Sequence, residues 1–358
     1  MKTKIIFILA SISVIVASDM RIAALGGNAG FWPEDDQNIN IFPSRINDIN
    51  LAQIQNASGA NPYATFIFGD NTKYGFILDG EGDNLLNFAY GDGTIGAIVG
   101  LDINNKTEMG GDSEDDDAEI NSSSFALDLM FGLNHEIGEI GVGLNIASSD
   151  NDNGNADDDI GGLSFSVNLR REQPVLIFSH LLASFSYASG KTGVEYYYTE
   201  DPEETYTAVT DFSGLNIDLN LFRHWEIGSN TDLMFASGLS FNGENLGPDS
   251  VKVANSSILF PNYTFAVETN LREWAILRAG INNSHLLNSS NKQEGRNYDL
   301  SQMGTSETRY SVGLGFEYEG FQLDIDLNKQ FFINPVQFLT GFNQNGDLAT
   351  RATITYRW

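Results

Sequence analysis

The residues best suited to metal or acid–base chemistry in this chain are four histidines: His135, His180, His224 and His285. They share no metal-ligand spacing, and there is no cysteine to add a thiolate. Neither a G-x-S-x-G elbow nor a phosphate-binding G-x-x-x-x-G-K-[ST] loop occurs. His180 sits inside a strand-like run, where a lone histidine packs more often than it reacts. Acids are far more abundant. Asp112–Glu119, Asp150–Asp159 and Glu200–Glu204 are dense in carboxylates and read as polar loops between strands. The second could wrap a hard cation, but an EF-hand needs Gly at its sixth position and Glu at its twelfth. Counting from Asp150, Gly154 is fifth and no Glu follows in place, so loose divalent binding is the most this stretch suggests. No enzymatic activity, resident metal or cofactor is expected.

A second set of chemical residues lies within the strands. Asp128, Arg170, Asn216, Asp218, Arg278, Glu317, Asp324, Asp326 and Arg351 alternate with apolar neighbours. Phe125, Leu127, Leu129, Phe131 and Leu133 share one face, for example, while Asp128 lies on the other. Alternate residues of a strand point to opposite sides of a sheet. In a sandwich the apolar faces would need a second layer, yet no amphipathic helices are present to supply one. Burying this many ions in a dry core would cost several kcal/mol each unless all were paired. An inside-out sheet removes the conflict, with apolar faces meeting lipid and polar faces lining a lumen. The nine residues above are the expected lumen lining, and Leu129, Leu144, Val167, Leu219 and Leu314 the expected lipid face.

The two ends of the chain agree with this inversion. Met1–Ser18 carries Lys2 and Lys4, a short apolar run and a small-residue exit, the pattern of a secretory signal peptide. The run is too short for a membrane helix. The last strand, Ala349–Trp358, alternates and stops on an aromatic residue. This ending resembles the terminal signal of bacterial outer-membrane barrels, with Tyr356 and Trp358 as the assembly residues. The hydrophobic content of 41% suits a barrel, because only one face of each strand needs to be apolar. A net charge of −29 excludes a general basic surface for nucleic acid.

Turns of two lengths alternate along the chain. Short ones fall near Gly91–Gly93, Asn134–Glu136, Glu172–Pro174, Arg272–Glu273 and Glu319–Gly320. Long polar connections are expected over 104–119, 148–162, 188–208, 242–257, 288–306 and 329–348. Outer-membrane barrels place short turns in the periplasm and long loops outside. Fifteen strand-like runs follow Tyr63, and Asn47–Ala57 offers a sixteenth. The expected fold is therefore all-β, a transmembrane antiparallel up-and-down barrel of 14 to 16 strands. Val175–Tyr187 is apolar on both faces in its first half, as an inner wall covered by another segment would be.

Asp19–Ile46 lacks strand alternation. Arg21, Ala24-Leu25-Gly26-Gly27, Asp35-Asp36, Asn38 and Pro43 resemble the opening of FadL-type hydrophobic-compound transporters and PorV-type secretion proteins. Phe42-Pro43-Ser44 departs from their usual Asn-Pro-Ala, and Phe31-Trp32-Pro33 is an addition. The resemblance implies that this segment plugs the lumen, with Arg21, Gly26, Gly27, Trp32, Asp35, Asp36 and Pro43 as plug and gating residues. Asp35 and Asp36 are expected to pair with lumenal arginines such as Arg170, Arg278 or Arg351. The domain order is then a signal peptide (1–18), a plug-like segment (19–46) and a barrel (47–358). The expected location is the outer membrane of a Gram-negative-type cell. The expected partners are outer-membrane lipids, the barrel-assembly machinery, and small hydrophobic ligands or secreted proteins. Three functions are open: a FadL-like channel for small molecules, a PorV-like secretion partner, or a structural barrel with no open path.

Overall fold

The computed structural model describes residues 19–55, 63–79, 86–110, 118–152, 157–197, 205–247, 253–293, 298–327 and 349–358. The proposed signal peptide lies outside them. Sixteen strands form one closed antiparallel barrel. The first six are β1 (Leu51–Gln55), β2 (Tyr63–Gly69), β3 (Lys73–Asp79), β4 (Leu86–Gly91), β5 (Ile95–Gly110) and β6 (Ala118–His135). Next come β7 (Gly138–Asp152), β8 (Asp157–Val175), β9 (Phe178–Tyr197), β10 (Thr205–Ile227) and β11 (Thr231–Gly247). The last five are β12 (Val253–Arg272), β13 (Ala275–Gln293), β14 (Tyr298–Tyr318), β15 (Phe321–Leu327) and β16 (Ala349–Arg357). Each strand pairs with its sequence neighbours, and β1 closes the ring on β16 through Leu51↔Arg357 to Gln55↔Thr353. Asn47–Ala57 does contain the extra strand, β1, that makes the number even.

The faces are those of a membrane barrel. Outward Leu129, Phe131, Leu163, Phe165, Phe185, Leu219 and Phe265 remain 37–45% exposed, a band that water would penalise and lipid accepts. Aromatic rings gather near the short turns, where Trp274 stacks on Phe316 at 6.1 Å. The terminal Trp358 packs against Phe66 at 5.6 Å and Tyr356 at 5.9 Å, so the last residue ties β16 to β2 across the closing seam. Deleting Trp358 should therefore lower the yield of folded, heat-modifiable barrel recovered from membranes several-fold. An unchanged yield would remove Trp358 from assembly and closure alike.

Two expectations need correction. Where they fall among the described residues, the long polar connections are largely strand, and 329–348 lies outside those residues. β7 runs to Asp152 and β8 starts at Asp157, with Asp150↔Asp159 and Asp152↔Asp157 opposed in the ladder. Above the membrane both faces of the wall meet water, so hydrophobic alternation disappears while backbone hydrogen bonding continues. Strands β5–β14 accordingly reach 15 to 23 residues, where about 9–11 span a bilayer. Of the other two acid clusters, only Ala118 and Glu119 fall among the described residues, at the start of β6. The second correction concerns Glu172–Pro174, which belongs to β8. The turn lies at Leu176–Ile177, and it splits the doubly apolar run between two strands.

Candidate functional site

Residues 19–48 cross the lumen at the short-turn end. A short helix, α1 (Asp19–Ala24), is followed by 3-10 turns at Ala29–Phe31, Asp36–Asn40 and Pro43–Asp48. Local polar contacts hold this irregular path. Asn28 accepts from the Gly30 amide at 2.9 Å, Asp35 accepts from the Gln37 amide at 2.9 Å, and Asn38 donates to the carbonyls of Trp32 and Asp35 at 2.6 and 2.8 Å. Gly26 and Gly27 have φ of +98° and +84°, which side chains disfavour, and they turn the chain out of α1.

The segment has two apolar seats. Ile22, Leu25, Phe31, Trp32 and Phe42 pack on Leu182, Phe222, Met234, Ala236 and Ala266. Ile39 and Ile46 pack on Ile67, Ile77, Ala89 and Ile98. These inward-facing wall residues break the polar-inside rule because the segment covers them. Between the seats the wall is stripped of side chains. Gly91↔Gly96, Gly96↔Gly132 and Gly132↔Gly141 are successive register partners, forming a row across β4 to β7. A Cβ on Gly96 would collide with the Pro43 carbonyl, one on Gly132 with the Ser44 amide, and one on Gly141 with the Ile41 carbonyl. At these three positions backbone therefore lies directly on backbone, and at Gly91 the Asn47 side chain takes the space a Cβ would need.

A ring of charge fastens the segment to the opposite wall. Asp35 accepts from Arg21 at 2.8 Å, and Arg21 grips Glu268 of β12 through two contacts at 2.8 and 3.0 Å. Glu268 accepts from Arg278 of β13 at 2.5 Å, and Arg278 reaches Asp324 of β15 at 2.6 Å. Asp324 accepts from Gln322 at 2.7 Å, and Gln322 accepts from Arg357 of β16 at 3.4 Å. Arg357 pairs with Asp36, which closes the ring beside its starting point. Glu317 of β14 adds a further carboxylate, with one buried oxygen that no hydrogen bond reaches. Asp35, Asp36, Glu268, Glu317 and Asp324 thus outnumber Arg21, Arg278 and Arg357. Burial pushes Asp35 up to about 7 against the pull of Arg21, and Asp36 up to about 6 against Arg357. A carboxyl whose pKa is raised by seating binds its proton more tightly when seated. Its contribution is complete below the ordinary value of about 4 and is lost as pH rises through 6 and 7.

A second latch lies across the lumen on β7 and β8. Arg45 and Arg170 both pair with Glu139. Arg170 also donates to the Gly30 carbonyl at 3.0 Å and to Asn38 at 2.9 Å, and its guanidinium lies 4.7 Å from the Phe42 ring centroid. The expected partners of Asp35 and Asp36 are therefore corrected to Arg21 and Arg357. Arg170 and Arg278 instead serve Glu139, Glu268 and Asp324, because barrel register puts those carboxylates beside them.

The remaining candidates distribute as follows. Trp32 is buried, with Arg21 5.1 Å above its ring, and Pro43 lies on the glycine row. Asp128 accepts from Asn145, Asp218 from Ser240, and Asn216 donates to Ser186 at 3.3 Å, all on the inward face above the segment. Asp326 is opposite Arg351 in the ladder, and the Arg351 side chain lies outside those described. The loose divalent binding suggested for Asp150–Asp159 also falls on side chains outside those described. Among the described residues no group of three or more His, Asp or Glu is placed to hold a metal. His180 is not alone in a strand: His224 lies on β10 and His285 on β13. Reading the sequence missed Glu139, Glu268, Arg357 and the glycine row. Each looks like an ordinary strand residue until register aligns it.

No protein-family model and no curated protein matches this sequence. Among solved structures, the chain is similar to the translocator domain of the autotransporter NalP from Neisseria meningitidis, with a TM-score of 0.34, 15% identity, and coverage of 74% of this chain and 88% of that one. It is also similar to the ferric enterobactin receptor PfeA of Pseudomonas aeruginosa, with a TM-score of 0.36, 10% identity, and 78% and 54% coverage. The ferric-catecholate import receptor Fiu of E. coli gives a TM-score of 0.39 at 10% identity, with the same coverage. This chain spans about half the length of those two receptors. The likeness concerns barrel architecture alone.

Proposed function

We propose that this protein is a gated channel of the Gram-negative outer membrane, passing small molecules in the manner of a FadL-like transporter, with residues 19–46 as its plug. The observation that carries this reading is the ion-pair ring from Asp35 to Asp36. Apolar packing alone would close a permanently filled core, and the two apolar seats supply that on part of the segment. Here the segment meets β12 through Arg21–Glu268 and β16 through Asp36–Arg357, guanidinium–carboxylate contacts that Arg278 and Asp324 continue along the wall and that can exchange for water when the segment moves. Space for cargo supports the same reading. On the long-loop side a cavity of about 380 Å³ is lined by Ala126, Ala147, Ala188 and Phe212 beside Asp102, Ser124 and Asn145. That mixture suits a small molecule with an apolar body and one or two polar groups.

The test is leakage from vesicles carrying the purified barrel. Asp35→Ala with Asp36→Ala removes the segment's half of two ion pairs and should raise leakage of small solutes about tenfold. Truncation of 19–46 should leak at least as much. No change in either variant would leave the structural or secretion-partner readings. Co-purification of other envelope proteins with a non-leaking barrel would favour the PorV-like alternative.

A further inference from the structure

Away from the ion-pair ring, one wall side chain holds the N-terminal segment through one of two contacts that together need an extra proton. His224, three positions before the end of β10, places Nε2 2.7 Å from the Phe31 carbonyl oxygen and Nδ1 3.2 Å from Asp232 Oδ2 on β11. A carbonyl oxygen only accepts, and so does an ionised carboxylate. A neutral imidazole carries a single N–H. Both contacts are hydrogen bonds only when a second proton lies in the group, on Nδ1 or shared with Asp232. Trp32 meets the same imidazole edge-on at 4.7 Å, so the ring also supports the neighbouring plug residue.

We infer that His224 and Asp232 form a proton-operated clasp, which holds the Phe31–Trp32 corner of the segment when doubly protonated and loosens it on proton loss. The clasp deepens the gated-channel reading and rests on it for its purpose, though not for its existence. On proton loss the charged Asp232 claims the remaining N–H, because hydrogen bonds to an ionised acceptor are the stronger ones. The Nε2 lone pair then faces the Phe31 carbonyl, and attraction becomes repulsion. An ordinary imidazole changes charge between about pH 5 and 8, so the test spans that interval. Side-chain exposures of 23% for His224 and 33% for Asp232 leave the pair open to proton exchange.

Charges facing His224 come from several elements. The acids are Asp232 on β11 and Glu226, two residues further along β10. The bases are His180 of β9, across Phe222 with ring separations of 4.9 and 6.0 Å, Arg21 over Trp32, and Arg170 at the Gly30 carbonyl. Protonation of Asp35 and Asp36 acts in the same direction as the clasp, so their effect must be separated from it.

Asp232→Asn makes that separation. Its amide donates to Nδ1 of a neutral imidazole, leaving Nε2–H for Phe31, so the clasp should stay shut at either pH. The chain has no native cysteine, so Ala29→Cys, buried beside this corner, reports opening by maleimide labelling. The informative quantity is the labelling rate of Ala29→Cys divided by that of Ala29→Cys with Asp232→Asn. Thiol ionisation and the ion-pair ring are common to both and cancel. The ratio should rise about tenfold between about pH 5.5 and about pH 8.5, and the rise should vanish when both carry His224→Gln. A ratio flat with pH would overturn the clasp. So would a nitrogen NMR signature showing His224 of the unmodified barrel with a single proton, and Asp232 ionised, at about pH 5.5. If labelling follows pH and vesicle leakage does not, the clasp stands and the gating reading falls.

Discussion

Arg21→Gln should unseat the N-terminal segment while leaving the barrel closed. Arg21 is 2% exposed and is shared between Asp35 and Glu268. Removing one partner of a buried charge network costs about 3–5 kcal/mol, because Asp35 is left with neither water nor its counter-ion and Glu268 with Arg278 alone. The wall has its own hydrogen-bonded ladder from β1 to β16 and does not need this contact to close. The cost should therefore fall on docking, as rapid labelling of a buried segment cysteine at Ala29 with unchanged heat-modifiability. Arg21→Lys should be intermediate: it keeps the charge but cannot present a planar fork to Glu268 while also reaching Asp35. Slow labelling in Arg21→Gln would mean that the two apolar seats and the glycine row hold the segment without the ring.

Leu129→Arg should cost the folded barrel about 2–4 kcal/mol in unfolding from lipid vesicles. Leu129 points outward from β6, 37% exposed, six residues before the strand ends at His135. At a rise of about 3.4 Å per residue and a tilt of about 45°, it lies about 14 Å from the turn, near the bilayer midplane. Asn216→Arg places the same group on the inward face of β10, in a solvated part of the lumen, and should cost no more than about 0.5 kcal/mol. Equal costs at the two positions would contradict the assignment of the apolar face to lipid.

Strand by strand, the barrel was legible because side-chain alternation is a local property of extended backbone. Leu127, Leu129 and Phe131 against Asp128 and Met130 announce two faces without reference to any other strand. The charges on one face and the absence of a covering layer then force the apolar face outward. The alternation fails where its cause fails. Above the membrane water lies on both sides, so Asp150–Asp152 and Asp157–Asp159 pair as strands with no hydrophobic pattern. Behind the N-terminal segment the inner wall is dry, so Leu182, Phe222 and Met234 are apolar where the rule expects polar residues.

By itself, the sequence determined that this chain closes a sheet with lipid outside, and that Arg21, Asp35 and Asp36 sit in a segment unlike the strands. Tertiary structure decided which charges meet. The Asp35–Arg21–Glu268 contact spans more than 240 residues of chain, and Asp36–Arg357 spans more than 300. The glycines at 91, 96, 132 and 141 become one row only through the registers of three separate strand pairs. Such pairings depend on register and closure summed around the whole barrel, and no local pattern in a strand carries that sum.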